Sequence, residues 1–358
     1  MTDIVINIVK IFSALAISFT IGIAITPLVT NFLYKHKMWK KKARNEALGG
    51  GETPIFNQLH KDREVNTPRM GGVIIWASVL LTIVIIWLIA LIFPSASTLK
   101  FNFFSQNQTW LPLFTLVAAS LVGIVDDFLQ VRGGGAYAAG GLSLLKRIIL
   151  VLLIGFVGAW WFYFKLEVSY IFIPFYGNLP LGLLFMPFFM LTMLAVFSGG
   201  VIDGIDGLSG GIMSSIFAAY AGIAFAQNQI DLAAFCATVV GATLAFLWFN
   251  IPPARFYMGE TGILGLTAAL SVIAFLSNAV AVLPIIAFPL LAASLSVIIQ
   301  LASKKLRGKK VFLVAPIHHH FEALGWPPYK VTMRFWILGI MFATVGMIIA
   351  ILGNIASV

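Results

Sequence analysis

Closely spaced carboxylates occur at two points of the chain, each within otherwise apolar sequence. Asp126 and Asp127 are adjacent in VDDF, and Asp203 and Asp206 stand three apart in DGIDG. Neighbouring carboxylates repel one another, so a cation is expected beside them. Paired acids suit Mg²⁺, which takes one or two carboxylates with substrate phosphates and keeps several waters. The acids therefore predict chemistry on phosphate groups, and the alternative for VDDF is a solvated helix end.

Glycines surround the second acidic pair in the segment SGGVIDGIDGLSGG. A glycine such as Gly204 lets the backbone turn or approach a ligand closely, and a glycine-rich stretch that leads into a helix offers amide donors to phosphate. If the segment is helical, a spacing of three places Asp203 and Asp206 on one face. Glycines that only permit tight helix packing are the alternative, but the two acids favour a phosphate site.

Three consecutive histidines, His318, His319 and His320, follow a basic run that begins at Lys304. A zinc site made from the triplet alone is geometrically poor because consecutive side chains point in different directions. Imidazoles that donate to phosphate or pyrophosphate fit the neighbouring bases better. A solvated loop is the alternative, and the basic run by itself indicates membrane orientation and contact with anionic lipid.

The composition of the chain indicates which elements must position these side chains. Of the 358 residues, 60% are hydrophobic and 10% are charged, whereas soluble domains are about 45–50% apolar and about 25% charged. These values exclude a soluble enzyme, a disordered chain and a nucleic-acid-binding protein, despite a net charge of +10. Cys236 is the single cysteine, so there is no disulfide framework.

Ten apolar stretches are long enough to cross about 30 Å of hydrocarbon, which takes about 20 helical residues. Continuous apolar runs favour helices over a β-barrel. The predicted spans are 9–33, 71–93, 110–128, 144–164, 181–201, 208–227, 232–250, 262–280, 282–302 and 333–355. The boundary before Pro284 is the weakest. The predicted fold class is an all-α polytopic membrane protein that forms one domain over residues 1–358.

The distribution of basic residues predicts the orientation of the spans. Of the 23 Lys and Arg residues, all except Lys10, Lys100 and Lys165 lie in loops that follow odd-numbered spans. Such loops face the cytoplasm, so both termini are predicted to be outside. The same loops carry TPRMGG, VDDF, DGIDG, FNIPPARFYMGETG and APIHHHFE, which predicts an active-site cleft on the cytoplasmic side. On the outer side, residues 165–180 are predicted to form a small hairpin.

At these motifs the chain resembles the polyprenyl-phosphate N-acetylhexosamine-1-phosphate transferases, from TPRMGG to the last span. The most specific segment, KKVFLVAPIHHHFEALGWPPYKVTMRFW at 309–336, favours the muramoyl-pentapeptide branch. The resemblance implies that UDP-N-acetylmuramoyl-pentapeptide and undecaprenyl phosphate react, with Mg²⁺ as cofactor, to give lipid I and UMP. It also implies a homodimer in the bacterial cytoplasmic membrane, with the active site facing the cytoplasm.

The resemblance also implies roles for individual residues. Asp126 and Asp127 would lie at the Mg²⁺ and lipid-phosphate end of the cleft, and Asp203 would be a metal ligand or the acid–base group. The His triplet would line the pyrophosphate region as part of the catalytic set, together with Asp126, Asp127 and Asp203. The implied substrate-binding residues are Asp206 at the uridine, Tyr257 on the uracil ring, Asn250 in the polar site, Gln300 near the sugar–peptide end, and Gly204, Lys146, Arg147 and Lys61.

Three positions depart from the family pattern. Glu260 stands where the family has an Asp that binds metal, Gly200 replaces an Asn, and Val65 replaces a Lys. The extra methylene of Glu260 moves its oxygens, and Mg²⁺ requires ligand distances near about 2.1 Å. These changes keep two alternatives open: a sister transferase that uses UDP-N-acetylglucosamine or a related sugar, and an inactive scaffold paralogue.

A membrane transporter is a further alternative of a different class. Its intramembrane acids would couple ion binding to movement between inverted repeats. Here the acids cluster at helix ends on one side, and the sequence shows no inverted repeat. The distribution of charge therefore favours an enzyme.

Overall fold

The computed structural model describes residues 3–41, 65–105, 108–133 and 141–356. Within them, ten helices are long and apolar enough to cross a membrane, which confirms the predicted all-α polytopic fold. Their α-helical parts are α1 Asp3–Lys35, α2 Val73–Ile92, α3 Trp110–Arg132, α4 Leu144–Phe164, α5 Phe185–Ser198, α6 Leu208–Ala226, α7 Ile230–Asn250, α8 Gly259–Leu276, α9 Phe288–Arg307 and α10 Pro328–Ala356. The fifth span covers Gly182–Ile202, because a short 3-10 helix precedes and follows α5. Helices suit these apolar runs because every backbone bond is then made within the segment.

The ninth span shows the largest difference between prediction and structure. It was expected at 282–302, but α9 covers Phe288–Arg307 and is preceded by a separate short helix, Leu283–Ile286. Pro284 and Pro289 each lie in the first positions of one of these helices. Proline has no backbone N–H and clashes with the preceding turn in a helix interior. Two helix starts therefore replace one continuous span.

The hairpin predicted within 165–180 is confirmed. Strands β1, Tyr170–Ile173, and β2, Gly177–Pro180, pair antiparallel, with Tyr170 opposite Pro180. The turn between them carries Phe175 and Tyr176, whose side chains are exposed. Aromatic side chains of this kind are enriched at membrane–water interfaces.

Helices α7 and α8 form the centre of the bundle. Residues of both helices are buried along most of their length, and α8 packs mainly on α3, whereas α7 packs on α1 and α6. Helices α1, α4 and α10 instead expose many large apolar side chains, as expected for a surface that faces lipid. Because α8 packs along α3, the N-terminus of α8 meets the C-terminal end of α3, where Asp126 and Asp127 lie.

An ion pair joins α1 to α7 away from these acids. Lys10 Nζ lies 2.6 Å from Asp231 Oδ1 and donates to the carbonyl of Asn102 at 3.2 Å. Lys10 is buried, so its charge needs a partner. The pair fixes the first helix against the centre of the bundle.

Candidate active site

The N-terminus of α8 is the place where the acidic side chains meet. The N–H of Gly259 donates to Asp203 Oδ2 at 3.1 Å. The N–H groups of Glu260 and Thr261 donate to Asp127 at 3.2 and 3.0 Å, and the Thr261 hydroxyl donates to it at 2.8 Å. The first N–H groups of a helix lack partners within the helix and carry the positive end of its dipole. One helix end therefore holds two carboxylates from separate parts of the chain, Asp127 on α3 and Asp203 in the turn before α6.

Gly259 makes this arrangement possible for two reasons. Its φ is +69°, in the left-handed region that side chains rarely adopt. A Cβ built at Gly259 would also lie 2.4 Å from Asp127 Oδ2. The glycine therefore allows both the turn into α8 and the close approach of the Asp127 carboxylate.

Arg147 is a cation inside the acidic cluster. Its Nη2 lies 2.9 Å from Asp126 Oδ2 and its Nη1 lies 2.5 Å from Glu260 Oε1. Gln130 Nε2 and the N–H of Leu142 also donate to Asp126, at 2.6 and 2.7 Å. A planar guanidinium with several donors can bind two carboxylates at once. Arg147 thus supplies a cation to Asp126, one of the two adjacent acids that were predicted to need one, and it also binds Glu260, the residue that departs from the family pattern.

Arg69, from the TPRMGG segment, is a second cation beside the acids and was not singled out from the sequence. Its Nη1 donates to Gln130 Oε1 at 2.9 Å and lies 4.0 Å from Asp127 Oδ1. The charge of Arg69 therefore extends the positive field of the α8 N-terminus over Asp127.

Asp203 lies in the turn before α6, outside the membrane-spanning segments. Burial raises the pKa of Asp203 to about 6, against the opposing effects of the Ser209 hydroxyl, the Arg69 charge and the Gly259 N–H. The Glu260 carboxylate adds to the increase. Ser209 Oγ donates to Asp203 Oδ1 at 2.7 Å. A carboxyl with a pKa near neutrality can both accept and release a proton.

The DGIDG turn is held in place by the loop that precedes α8. Asn250 Oδ1 accepts from the N–H of Gly207 at 2.9 Å, and Asn250 Nδ2 donates to the carbonyl of Phe256 at 2.8 Å. Asp206 Oδ2 accepts from the N–H of Ala254 at 3.1 Å. Asn250 and Asp206, both predicted to bind substrate, therefore also join the turn to the loop.

Tyr257 connects this loop to the TPRMGG segment. Its N–H donates to the carbonyl of Pro68 at 2.8 Å, and its carbonyl accepts from the N–H of Gly71 at 2.9 Å. The Tyr257 side chain is half-buried, and its stacking on a uracil ring stays a prediction. The TPRMGG, DGIDG and FYMGETG motifs thus converge as the sequence predicted.

The histidine triplet divides between two environments. The rings of His318 and His319 lie 4.4 Å apart, and a Cβ built at Gly204 would lie 2.7 Å from Nε2 of each. His320 instead accepts from the N–H of Leu313 at 3.2 Å through Nδ1. The structure therefore brings two of the three histidines to the turn that carries Asp203, and Gly204 leaves them the space.

The remaining predicted residues lie outside this cluster of contacts. Gln300 Oε1 accepts from the N–H groups of Val311 and Phe312, and its Nε2 donates to the Phe312 carbonyl, so it holds the loop after α9. Lys146 is exposed. Lys61 lies outside the described residues. Roles for these three side chains in substrate binding stay predictions.

Several polar residues of the site were missed by the sequence reasoning, although signals for them exist. They lie close in sequence to predicted residues: Gln130 one helical turn after Asp126, Ser209 in the glycine-rich segment after Asp206, Thr261 directly after Glu260, and Glu322 three residues after His319. Each completes the hydrogen bonds of a buried or half-buried site group, which buried polar groups require.

We expect Arg147→Ala to destabilise the protein, because Asp126 and Glu260 would then face each other without a cation. Leaving a buried charge unpaired typically lowers the free energy of unfolding by about 3–5 kcal/mol. The loss should appear as a lower denaturation temperature in detergent. Arg147→Lys keeps the charge but not the two-pronged geometry, so its loss should be smaller. Lys146→Ala, at an exposed neighbour, is the matched control. Equal denaturation temperatures for the Arg147→Ala and Lys146→Ala proteins would show that the pairing contributes nothing.

Comparison with known proteins first defines the class. Residues 109–278, which contain Asp127, Asp203 and Glu260, match the model of glycosyl transferase family 4. Together with ten apolar helices, this match indicates a multi-pass membrane protein of the glycosyl transferase class.

The curated relatives are more specific. The chain is 35% identical over 350 residues to a phospho-N-acetylmuramoyl-pentapeptide-transferase from a Geobacillus species, covering 94% of this chain and 97% of the relative. Proteins of the same name from Chloroflexus aurantiacus and a Hydrogenobaculum species are 34% and 33% identical, over 88% and 92% of this chain and 85% and 89% of theirs. The chain belongs to the phospho-N-acetylmuramoyl-pentapeptide-transferase family, as the resemblance predicted.

Proposed function

We propose that this protein transfers phospho-N-acetylmuramoyl-pentapeptide from its UDP-linked precursor to undecaprenyl phosphate, which yields lipid I and UMP. The observation that carries the proposal is the set of carboxylates and guanidinium groups around the N-terminus of α8, at one end of an apolar bundle. The names of the relatives supply the substrate class. A lipid acceptor fits a site whose surrounding helices expose apolar side chains.

The reaction exchanges one phosphorus–oxygen bond for another. An oxygen of the lipid phosphate attacks the sugar-linked phosphorus of the UDP precursor. The bond between that phosphorus and the bridging oxygen breaks, and UMP leaves with the electron pair. Two anions must approach each other in this step, so positive groups have to lower their repulsion. Arg69 and the N-terminus of α8 are the positive groups that border Asp127 and Asp203.

Asp203 is the residue that we assign to the proton of the lipid phosphate. One hydrogen bond reaches each of its oxygens, from Ser209 and Gly259, so each oxygen retains a further acceptor site. With its pKa at about 6, Asp203 is mostly ionised at neutral pH and can take that proton. The proton then passes to water when the product leaves.

Mg²⁺ is the cofactor that the donor chemistry of the site supports. Among the described residues, no three acidic, histidine or cysteine side chains form a complete metal site. However, Mg²⁺ commonly needs only one or two carboxylates besides phosphates. Asp126 and Asp127 are fully buried, whereas Asp203 is half-buried and 21% of the Glu260 side chain is exposed. We infer that Glu260, together with substrate phosphates, would hold Mg²⁺, which would neutralise phosphate charge, while Asp203 acts as the acid–base group.

The proposed cellular setting follows from the charge distribution. Loops rich in Lys and Arg face the cytoplasm, and the residues of the site lie on these loops or at the helix ends that border them. We therefore propose that the cleft opens to the cytoplasm of a bacterium and that both termini face outward. A homodimer in the cytoplasmic membrane is expected from the resemblance to the family.

The proposal is tested by UMP release from purified protein supplied with Mg²⁺, undecaprenyl phosphate and UDP-N-acetylmuramoyl-pentapeptide. We expect UMP and lipid I in equal amounts, no product from boiled protein, and loss of product when EDTA removes Mg²⁺. UDP-N-acetylglucosamine in place of the muramoyl precursor should give no UMP.

Other outcomes of this assay would contradict the proposal in distinct ways. UMP from UDP-N-acetylglucosamine alone would indicate the sister transferase. No UMP from either UDP-sugar would indicate the scaffold paralogue, provided that thermal denaturation shows the protein to be folded. Full turnover in EDTA would contradict the requirement for Mg²⁺, but it would not contradict the transfer reaction.

A further inference from the structure

A buried carboxylate lies next to the histidine pair and has no part in the mechanism above. Glu322 is on the short helix Ile317–Ala323, one turn after His319. Its Oε2 lies 2.6 Å from His319 Nδ1, and only 2% of the Glu322 side chain is exposed. A carboxylate this deeply buried is costly unless a partner stabilises it. The histidine and the glutamate therefore form a matched pair.

The pairing determines how the His319 ring is presented. An ionised Glu322 carboxylate would accept a hydrogen bond from Nδ1 of His319, which would then carry the hydrogen. Nε2, on the opposite side of the ring, is then directed away from Glu322. Nε2 lies close to Gly204, because a Cβ built at that glycine would be only 2.7 Å from it. Nε2 of His319 is consequently placed against the turn that carries Asp203.

The His319 ring is also held from the side. The ring of His318 packs on it at 4.4 Å, and His318 in turn contacts the edge of Phe335 on α10. Packing restricts the position of the imidazole, but it does not choose which nitrogen carries the hydrogen. The Glu322 contact makes that choice.

We propose that Glu322 is a positioning residue for the transfer reaction, which acts by orienting His319 so that Nε2 meets the pyrophosphate of the UDP substrate beside Gly204. The inference rests on the proposed function. Carboxylates that orient a functional histidine through its other nitrogen are a recurrent arrangement, and removing them costs about 10–100-fold in affinity or activity in metal sites. Glu322 therefore belongs to the working site although it need not touch the substrate.

The test is a double-mutant cycle on the binding of UDP-N-acetylmuramoyl-pentapeptide, measured by calorimetry without lipid acceptor. We expect Glu322→Ala to weaken binding by about tenfold or more, and Glu322→Gln, which keeps an acceptor oxygen, to restore part of it. In a His319→Ala background, Glu322→Ala should have no further effect, because the residue acts through His319. Glu167→Ala, at an exposed glutamate, is the matched control.

A second measurement follows the ring itself. In ¹⁵N-histidine spectra, the signal of His319 is identified by its absence from the His319→Ala protein. This signal should show the hydrogen on Nδ1 in the wild type and should no longer show a preference for Nδ1 in the Glu322→Ala protein. Glu322→Gln has nearly the same volume as the native residue, so it keeps the test usable if Glu322→Ala does not fold.

Three outcomes would overturn one claim or the other. Equal affinity of wild type and Glu322→Ala for the UDP substrate would contradict the positioning role. So would a loss of affinity on Glu322→Ala that is as large in the His319→Ala protein as in the wild type. Wild-type protein that binds no UDP-sugar would instead overturn the proposed function, and the ¹⁵N spectra would then decide on their own whether Glu322 orients His319.

Discussion

Asp203→Asn protein should fold normally and lose turnover by about 10²–10⁴-fold, the contribution expected of a positioned acid–base group. The asparagine keeps an oxygen that can accept from Ser209 or Gly259, but it cannot take a proton. UMP release gives the rate, and thermal denaturation in detergent gives the stability. Asp3→Asn, the same change at an exposed carboxylate whose side chain is 88% accessible, should leave both unchanged.

The pH dependence gives an independent check on Asp203. Its pKa is raised to about 6, so the ionised form dominates above pH 6 and the protonated form below. The base is therefore lost as the pH falls through about 6, and the wild-type rate should fall by about tenfold per unit beyond that point. The residual rate of Asp203→Asn should not follow this curve. Turnover retained in Asp203→Asn would assign the proton to another group.

Gly259→Ala should remove turnover almost completely, which is the second large effect. The new Cβ would lie 2.4 Å from Asp127 Oδ2, so the Asp127 carboxylate or the start of α8 has to move. Either shift disturbs the N–H groups that hold Asp127 and Asp203. Displacement of a reacting group by about 1 Å can cost about 10²-fold in rate, and the left-handed backbone adds roughly 1–2 kcal/mol of strain.

Gly308→Ala is the control that separates the steric clash with Asp127 from the strain of a left-handed backbone. Gly308 follows α9 with a φ of +63° and no atom within 4 Å of a built Cβ. The two variants therefore share the left-handed conformation, but only Gly259→Ala has the collision. We expect Gly308→Ala to lower the denaturation temperature slightly and to keep full UMP release. Similar rates for the two variants would show that Asp127 tolerates displacement.

The sequence predicted the spans well because membrane helices are encoded locally. A continuous apolar run of about 20 residues has few other stable conformations in lipid. The start of the ninth helix was predicted wrongly because hydropathy averages over Pro284 and Pro289, whereas the backbone responds to each proline separately. The convergence of the polar loops followed from the positions of the motifs between the spans.

The pairing within the site could not be predicted in the same way. Arg147 and Glu260 are 113 residues apart, and their contact depends on how α4 and α8 are placed around α3. From the sequence, Glu260 is a departure from the family pattern and Arg147 is an implied substrate-binding residue, but nothing in the sequence indicates that the two residues pair. The structure supplies one, because the longer side chain of Glu260 reaches the guanidinium that also binds Asp126.

Short-range pairs were within reach of the sequence and were still missed. Glu322 follows His319 by three residues, a spacing that brings side chains together on a helix. The sequence pattern predicts a loop around the histidine triplet, and the helical spacing of side chains does not apply to a loop. A helix of seven residues, Ile317–Ala323, is too short to be recognised by hydropathy alone.

The ion pair between Lys10 and Asp231 sets an order for biogenesis. The two residues are 221 positions apart, and ribosomes add about 5–20 residues per second, so roughly 10–45 s separate their synthesis. During this interval Lys10 lacks the Asp231 partner that it has in the folded protein. The ion pair that joins the first helix to the seventh can therefore form only after Asp231 has been synthesised.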